Sequence, residues 1–382
     1  MTDLLRTRPV ATPAMLALFD DAATIAHALA FETALARAEA AEGLIDGASA
    51  EAIARACETI AIDPAALADD AALAGTLAIP LVARLRAAVG GDAAALVHRG
   101  ATSQDLADTI MAMQLRRAAA SLAGDLARID AGLTALAERH AAMPAIGRTL
   151  LQDALPIGFG LRIAHWRAGI VEPAARVERE VGAHARLQFG GAAGTRAGLD
   201  GRGAAVAARM AALLDLAPAE PWHARRGGVA GIAGAVAILV GALAKMARDV
   251  SLLAQNAVGE AREPVVAGRG GSSAMAHKRN PTGCQVALSA AARAPGLAAS
   301  VIGGMAQEEE RGLGGWQAEG PVLADLFLLA GGSAAAMAIV AEGLEVDEAA
   351  IARNLDAAGV GDDIGESAAL TAALLAVHMG KD

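Results

Sequence analysis

Tyrosine is absent, and aromatic residues make up only 2% of the chain although 55% of it is hydrophobic. A core without rings must be filled by Ala, Leu, Val and Ile, which favours helices packed closely on helices. The two cysteines, Cys57 and Cys284, are too few for a disulfide framework, and a reducing, cytoplasmic setting is expected. No CxxC pair or Cys/His cluster suggests a metal site. Positive charge is also in short supply. A net charge of −10 and a pI near 5.3 argue against general nucleic-acid binding, yet a local basic pocket can still hold an anionic substrate. The opening Met-Thr-Asp-Leu-Leu-Arg lacks the basic-then-apolar order of a signal peptide, so no leader is expected.

Mean hydropathy is +0.41, which raises the question of a membrane. The longest uncharged run, eighteen residues between Arg226 and Lys245, is of marginal length for a span. It is rich in Gly and Ala and keeps its large residues to one stripe, so burial within protein is expected. That stripe is the most regular in the chain. Val229, Ile232, Val236, Leu239, Leu243, Met246, Val250 and Leu253 alternate three and four apart, which predicts a helix packed along its whole length. Leu115, Leu122, Leu126, Ile129, Leu133 and Leu136 predict a second long helix, read from Thr109 to near His140. Asp63-Pro64 marks a helix start. No strand-like alternation persists in the N-terminal part. So much apolar helix surface exceeds what a monomer can hide, and oligomerisation is expected.

Against this background one stretch stands apart: Arg269-Gly270-Gly271-Ser272-Ser273-Ala274-Met275-Ala276-His277-Lys278-Arg279-Asn280-Pro281. Gly270 and Gly271 permit unusual backbone shapes and close approach of a ligand. Ser272 and Ser273 offer successive hydroxyls, and Lys278, Arg279 and Asn280 suit carboxylates. Two readings of the residues stay open. One is a solvated basic loop whose serines cap a helix. The other is a site for a small polyanion with a serine that moves a proton.

A second polar cluster runs from His98 to Asp105. Thr102 and Ser103 there either cap the following helix or hold an anion at its N-terminus. Gln188 to Thr195 is glycine-rich, but no strand precedes it and no Gly-Lys-Ser/Thr follows. It is read as a helix interruption bordering a pocket, not as a phosphate loop. Arg311, in a break beside Trp316, is a further anion-binding candidate.

Gly271-Ser272-Ser273-x-Met275-x-x-Lys278-x-Asn280-Pro281 resembles the signature loop of the fumarase/aspartase superfamily. His98 to Asp105 resembles its first conserved region, where a Thr-Ser pair holds a substrate carboxylate, and Gly147-Arg148-Thr149-Leu150-Leu151-Gln152 resembles its second. The resemblance runs from Phe31 to about Asp356. It is strongest to the bacterial 3-carboxy-cis,cis-muconate cycloisomerases, on His98 to Asp105, Leu187 to Thr195, Pro221-Trp222-His223, Ala247 to Leu253 and Leu313 to Trp316.

The resemblance implies an all-α fold of fumarase/aspartase type. A smaller N-terminal helical domain (1–107) would precede a long central helix bundle (108–345) and a shortened C-terminal helical segment (346–382). It implies a homotetramer whose active sites each draw on three subunits, with no metal or organic cofactor, no nucleic acid and no membrane. A tricarboxylate would be held by Thr102, Ser103, Arg148, Gln152, Ser272, Lys278, Asn280 and Arg311, with Ser273 carrying the proton. An amine lyase such as adenylosuccinate lyase, and a non-catalytic helical oligomer, remain as alternatives.

Three departures from the superfamily pattern bear on chemistry. Ala276 replaces a usual proline, which predicts a more mobile loop. Gln285 replaces a common glutamate, removing a supporting ion pair. Leu150 stands where many members have a histidine. Superfamily reactions expel a group from the carbon next to an aci-carboxylate (a doubly charged enolate), and hydroxide or amine leaving groups benefit from a general acid. A lactone instead expels a carboxylate, whose conjugate acid has a pKa of about 4, and it can leave without a proton. Leu150 therefore favours the cycloisomerase reaction, unless His98 or His140 serves as the acid.

Overall fold

The computed structural model describes residues 4–275 and 278–377. The N-terminal helices are α1 (Leu4–Thr7), α2 (Pro13–Leu18), α3 (Asp21–Ala41), α4 (Gly47–Thr59), α5 (Pro64–Ala74) and α6 (Ala78–Val89). Their starts follow from local chemistry. Asp20, Asp46 and Asp63 each turn a carboxylate onto a backbone N–H of the first turn, and Pro64 occupies the first position after Asp63.

The long bundle begins with α7 (Ser103–Arg139). A hairpin of β1 (Pro144–Thr149) and β2 (Gln152–Gly158) leads into α8 (Phe159–His184). After α9 (Gly203–Leu213) come α10 (Gly227–Leu253), β3 (Ala261–Arg262), α11 (Thr282–Gly303) and α12 (Gly315–Gly343). The chain closes with β4 (Glu345–Val346), α13 (Glu348–Ala358) and α14 (Ser367–Leu375). β3 and β4 form a small antiparallel pair.

All eight stripe residues of α10 are buried, as are the six of α7. α10 lies against α8, α11 and α12, and α7 against α8 and α12. Gly132 allows one of these contacts: a Cβ there would sit 2.8 Å from the Ala341 carbonyl of α12. By length and composition Pro13–Ala41, α10, α11 and α12 are apolar enough to cross a membrane. In this fold α10 and α12 turn most of that apolar surface to neighbouring helices.

Two local expectations change. α7 starts at Ser103 rather than Thr109, because Thr102 and Asp105 form a capping box. α12 starts at Gly315, with the Gln317 side chain accepting from Gly314 N–H at 2.9 Å. The β1–β2 hairpin appears where no strand was expected. Thr149 faces Gln152, so Leu150 and Leu151 form a two-residue turn. Both have positive φ, 51° and 65°, a shape normally given to Asn-Gly.

The bundle has two distinct ends. Arg226, at the start of α10, bonds both Asp108 near the start of α7 and Glu319 near the start of α12. α7 is 37 residues long, so the hairpin after its C-terminus lies roughly 50 Å from Thr102 at a rise of about 1.5 Å per residue.

Candidate active site

At the α7 start, Thr102 and Ser103 are half-buried and Asp105 is fully buried. The Asp105 carboxylate accepts from Thr102 N–H (3.2 Å), Gln188 Nε2 (2.9 Å), Gly190 N–H (3.0 Å) and Gly191 N–H (2.8 Å). It thereby pins the glycine-rich 188–195 segment against the helix N-terminus. Arg311 braces the same junction. It donates to the carbonyls of Ala192 (2.9 Å) and Gly191 and to Gln104 Oε1 (2.6 Å), and lies 3.7 Å from Asp105. Arg311 is thus committed to the fold. The Thr102 and Ser103 hydroxyls at this helix N-terminus remain suited to a carboxylate.

The second conserved block and the signature loop meet at the opposite end. Arg148, expected to bind substrate, donates both terminal nitrogens to Glu260 (3.0 and 2.6 Å) and lies 3.3 Å from Asp153. Glu260 is fully buried. Burial alone would raise its pKa, but Arg148, Asn354 and Arg162 outweigh that and hold it below the usual carboxylate range. Gln152 is exposed, and its side-chain amide donates to the Leu151 carbonyl (3.3 Å). Leu150 and Leu151 at the tip are 96% and 75% exposed.

Glu263 fixes the base of the signature loop. Its carboxylate takes the first amides of α11, Gly283 N–H at 3.0 Å and Cys284 N–H at 2.6 Å, so that helix N-terminus already holds an anion. Arg279 pairs with Glu345 at 3.1 Å and with the Glu263 carbonyl at 2.8 Å. Farther out, Ser272 Oγ accepts from Ala274 and Met275 N–H (3.3 and 3.1 Å), and Asn280 Nδ2 donates to the Gly271 carbonyl (3.1 Å). Ser273 and Lys278 are exposed, and Lys278 pairs with no acid among the described residues. Ala276 and His277 lie outside the described residues.

The two candidate histidines occupy different ends. His140 caps α7 at the hairpin end, edge-on to Phe159 at 6.1 Å, and burial lowers its pKa. His98 lies at the Thr102 end, with Nδ1 2.6 Å from Glu32. Among the described residues no group of three or more His, Cys, Asp and Glu could hold a metal ion. Reading the sequence missed Asp105, Glu260 and Glu263. The Thr-Ser-x-Asp spacing signalled Asp105, whereas nothing local marked the two glutamates.

One chain therefore brings the hairpin and the signature loop to one end and the Thr102–Ser103 helix start to the other. This defines a helical-bundle enzyme with its polar chemistry concentrated at helix ends. A family model described as Lyase matches residues 7–296. The chain is 47% identical to 3-carboxy-cis,cis-muconate cycloisomerase of Bradyrhizobium diazoefficiens, over 91% of this chain and 78% of that protein. It is 40% identical to nitrosuccinate lyase of Streptomyces davaonensis, over 96% of this chain and 78% of the other. The crystal structure of 3-carboxy-cis,cis-muconate lactonizing enzyme from Pseudomonas putida superimposes with a TM-score of 0.87 at 39% identity, covering 93% of this chain and 80% of that one. The chain belongs to the fumarase/aspartase superfamily.

Proposed function

We propose that this enzyme interconverts 3-carboxy-cis,cis-muconate and 4-carboxymuconolactone in the cytoplasm. The observation that carries the reading is the apolar hairpin tip: Leu150 stands fully exposed where many superfamily members place an acid. A carboxylate leaving group needs no such acid. The cycloisomerase relative at 47% identity supports the same substrate.

In the forward direction one substrate carboxylate closes onto the neighbouring alkene carbon, forming the lactone C–O bond. The electron pair moves onto the adjacent carboxyl group as an aci-carboxylate. Thr102, Ser103, Gln152, Lys278 and Asn280 hold the trianion and stabilise the growing charge. Ser273 passes its hydroxyl proton to carbon, and the alkoxide recovers a proton from solvent. In reverse the alkoxide removes that proton, which requires Lys278 and backbone amides to lower the serine pKa. Ring closure is intramolecular, so holding a folded conformer supplies much of the acceleration.

The separation of roughly 50 Å along α7 supports a homotetramer whose sites join the helix start of one copy to the loop and hairpin of others. The test is the ultraviolet change on adding 3-carboxy-cis,cis-muconate to purified protein. Loss of diene absorbance with lactone formation is expected; unchanged absorbance overturns the reading. The nitrosuccinate lyase relative at 40% identity favours a second reading, C–N elimination from a succinate-type substrate. Fumarate release from nitrosuccinate or adenylosuccinate, with carboxymuconate untouched, would establish that one.

A further inference from the structure

A trianion calls for several cations, and the fold has already taken two of those expected. Arg148 is held by Glu260 and Asp153, and Arg311 by Gln104, two carbonyls and Asp105. Lys278 is left. A further source of positive charge lies next to the α7 start.

Glu32 of α3 is 1% exposed; among the described residues its side chain has one hydrogen-bond partner, His98 Nδ1 at 2.6 Å, and its other carboxylate oxygen has none. A buried carboxylate with one partner is stabilised most when that partner is a cation. The neighbouring Glu39 does not fill the role, being an acid itself, and Arg99 lies 3.6 Å from Glu39 instead. His98 is held against backbone strain. Its φ is +63°, a conformation disfavoured by about 1–2 kcal/mol for a residue with a side chain. The Glu32 bond and the Phe31 ring, 6.3 Å away, keep it there. A turn bond from Ala101 N–H to the His98 carbonyl, 3.4 Å, ties the residue to the helix start at Thr102.

We infer that Glu32 is a positioning residue that keeps His98 as an imidazolium, with Nδ1–H spent on Glu32 and Nε2–H left to bind a substrate carboxylate beside Thr102 and Ser103. The Nδ1 bond leaves Nε2 as the one ring nitrogen able to meet a ligand, and 13% of the side chain is exposed. The charged groups facing His98 are Glu32 of α3, Asp105 of α7 and Arg86 of α6. Burial opposes its charge, but the two carboxylates outweigh burial and Arg86 and raise its pKa. The imidazolium is therefore present below that raised pKa and lost as pH climbs through it.

This inference rests on the tricarboxylate reading, so the test uses a binding probe that does not depend on turnover. Citrate binding to the intact protein is measured calorimetrically from about pH 6 to about pH 9, spanning the histidine range. Wild-type affinity should fall as pH rises. Glu32→Gln should move that fall to lower pH and weaken binding roughly tenfold near neutrality, the size of one charge-assisted hydrogen bond. Glu32→Asp should recover part of the loss, which a purely structural glutamate would not require. His98→Gln should bind weakly with a flat pH profile, and it decides the matter should Glu32→Gln not fold. Wild-type affinity and pH dependence in either the Glu32→Gln or the His98→Gln variant overturns the inference, as does absence of citrate binding by the wild type. Normal pH-dependent citrate binding by a wild type inactive on carboxymuconate would overturn the lactonisation reading alone.

Discussion

The two ends of the bundle handle charge differently. Where α7 begins, acids and bases are buried and matched: Asp105 collects four N–H donors, and Arg226, with its side chain fully buried, is shared by Asp108 and Glu319. At the opposite end the buried pairs stop one layer down, at Arg148–Glu260 and at Glu263. Above them Ser273, Lys278, Gln152 and the Leu150–Leu151 tip face solvent. The first end pairs these charges within one chain, around the Thr102–Ser103 helix start. The second presents reactive groups without walls, and walls from another copy would exclude the water that otherwise screens them.

That contrast can be broken or sharpened by experiment. The largest effect is expected from Ser273→Ala, which should cut turnover by roughly a thousandfold or more while tricarboxylate binding persists. Surviving turnover of the diene would remove Ser273 from the mechanism. Next, a Thr102→Val/Ser103→Ala double variant and Ser273→Ala should each be inactive alone. In confirmed mixed tetramers activity should return, since some sites then contain both intact halves; no recovery would show that the ends do not meet between copies.

Stability should track the same asymmetry. Arg226→Met strands two buried carboxylates and should destabilise by about 3–5 kcal/mol. Arg279→Met, which removes an exposed pair with Glu345, should cost under about 1 kcal/mol. Thermal unfolding of the two variants side by side checks this, and equal losses would contradict it. At the hairpin, replacing Leu150-Leu151 by Asn-Gly should relieve two left-handed leucines and stabilise the chain by about 1–2 kcal/mol. Lactonisation should then slow if the apolar tip walls a site in another copy.

The smallest effect is pH-dependent. Burial, against the pull of Arg99, raises the Glu39 pKa from 4.5 to about 7. The native state therefore keeps a proton that the unfolded chain releases, and stability declines as pH rises from 4.5 to about 7. Glu39→Gln should leave melting nearly unchanged at the acid side of this window and raise it by a few degrees above it. A uniform shift at all pH values would refute the titration.

Much of the fold was legible because it depends on neighbours within one or two helical turns. The α10 stripe, the α7 stripe and the Asp63-Pro64 start all rest on spacings of a few residues. The hairpin was not legible, since a Leu-Leu turn carries none of the usual turn chemistry and its strands do not alternate cleanly. Arg148 reads as a substrate ligand through the resemblance, and Arg311 through its place in a break beside Trp316. Their partners Glu260 and Gln104 lie 112 and 207 residues away along the chain, and only packing brings them close.

The sequence by itself determined which segments are helical, which faces they bury and which loop carries the serines, because periodicity, caps and side-chain chemistry are local properties. Only the tertiary structure decided which charges are neutralised internally and which stay available, and that the conserved blocks divide between opposite ends of one bundle. Those outcomes depend on desolvation and on pairing across more than a hundred residues, quantities that exist only once the helices are packed.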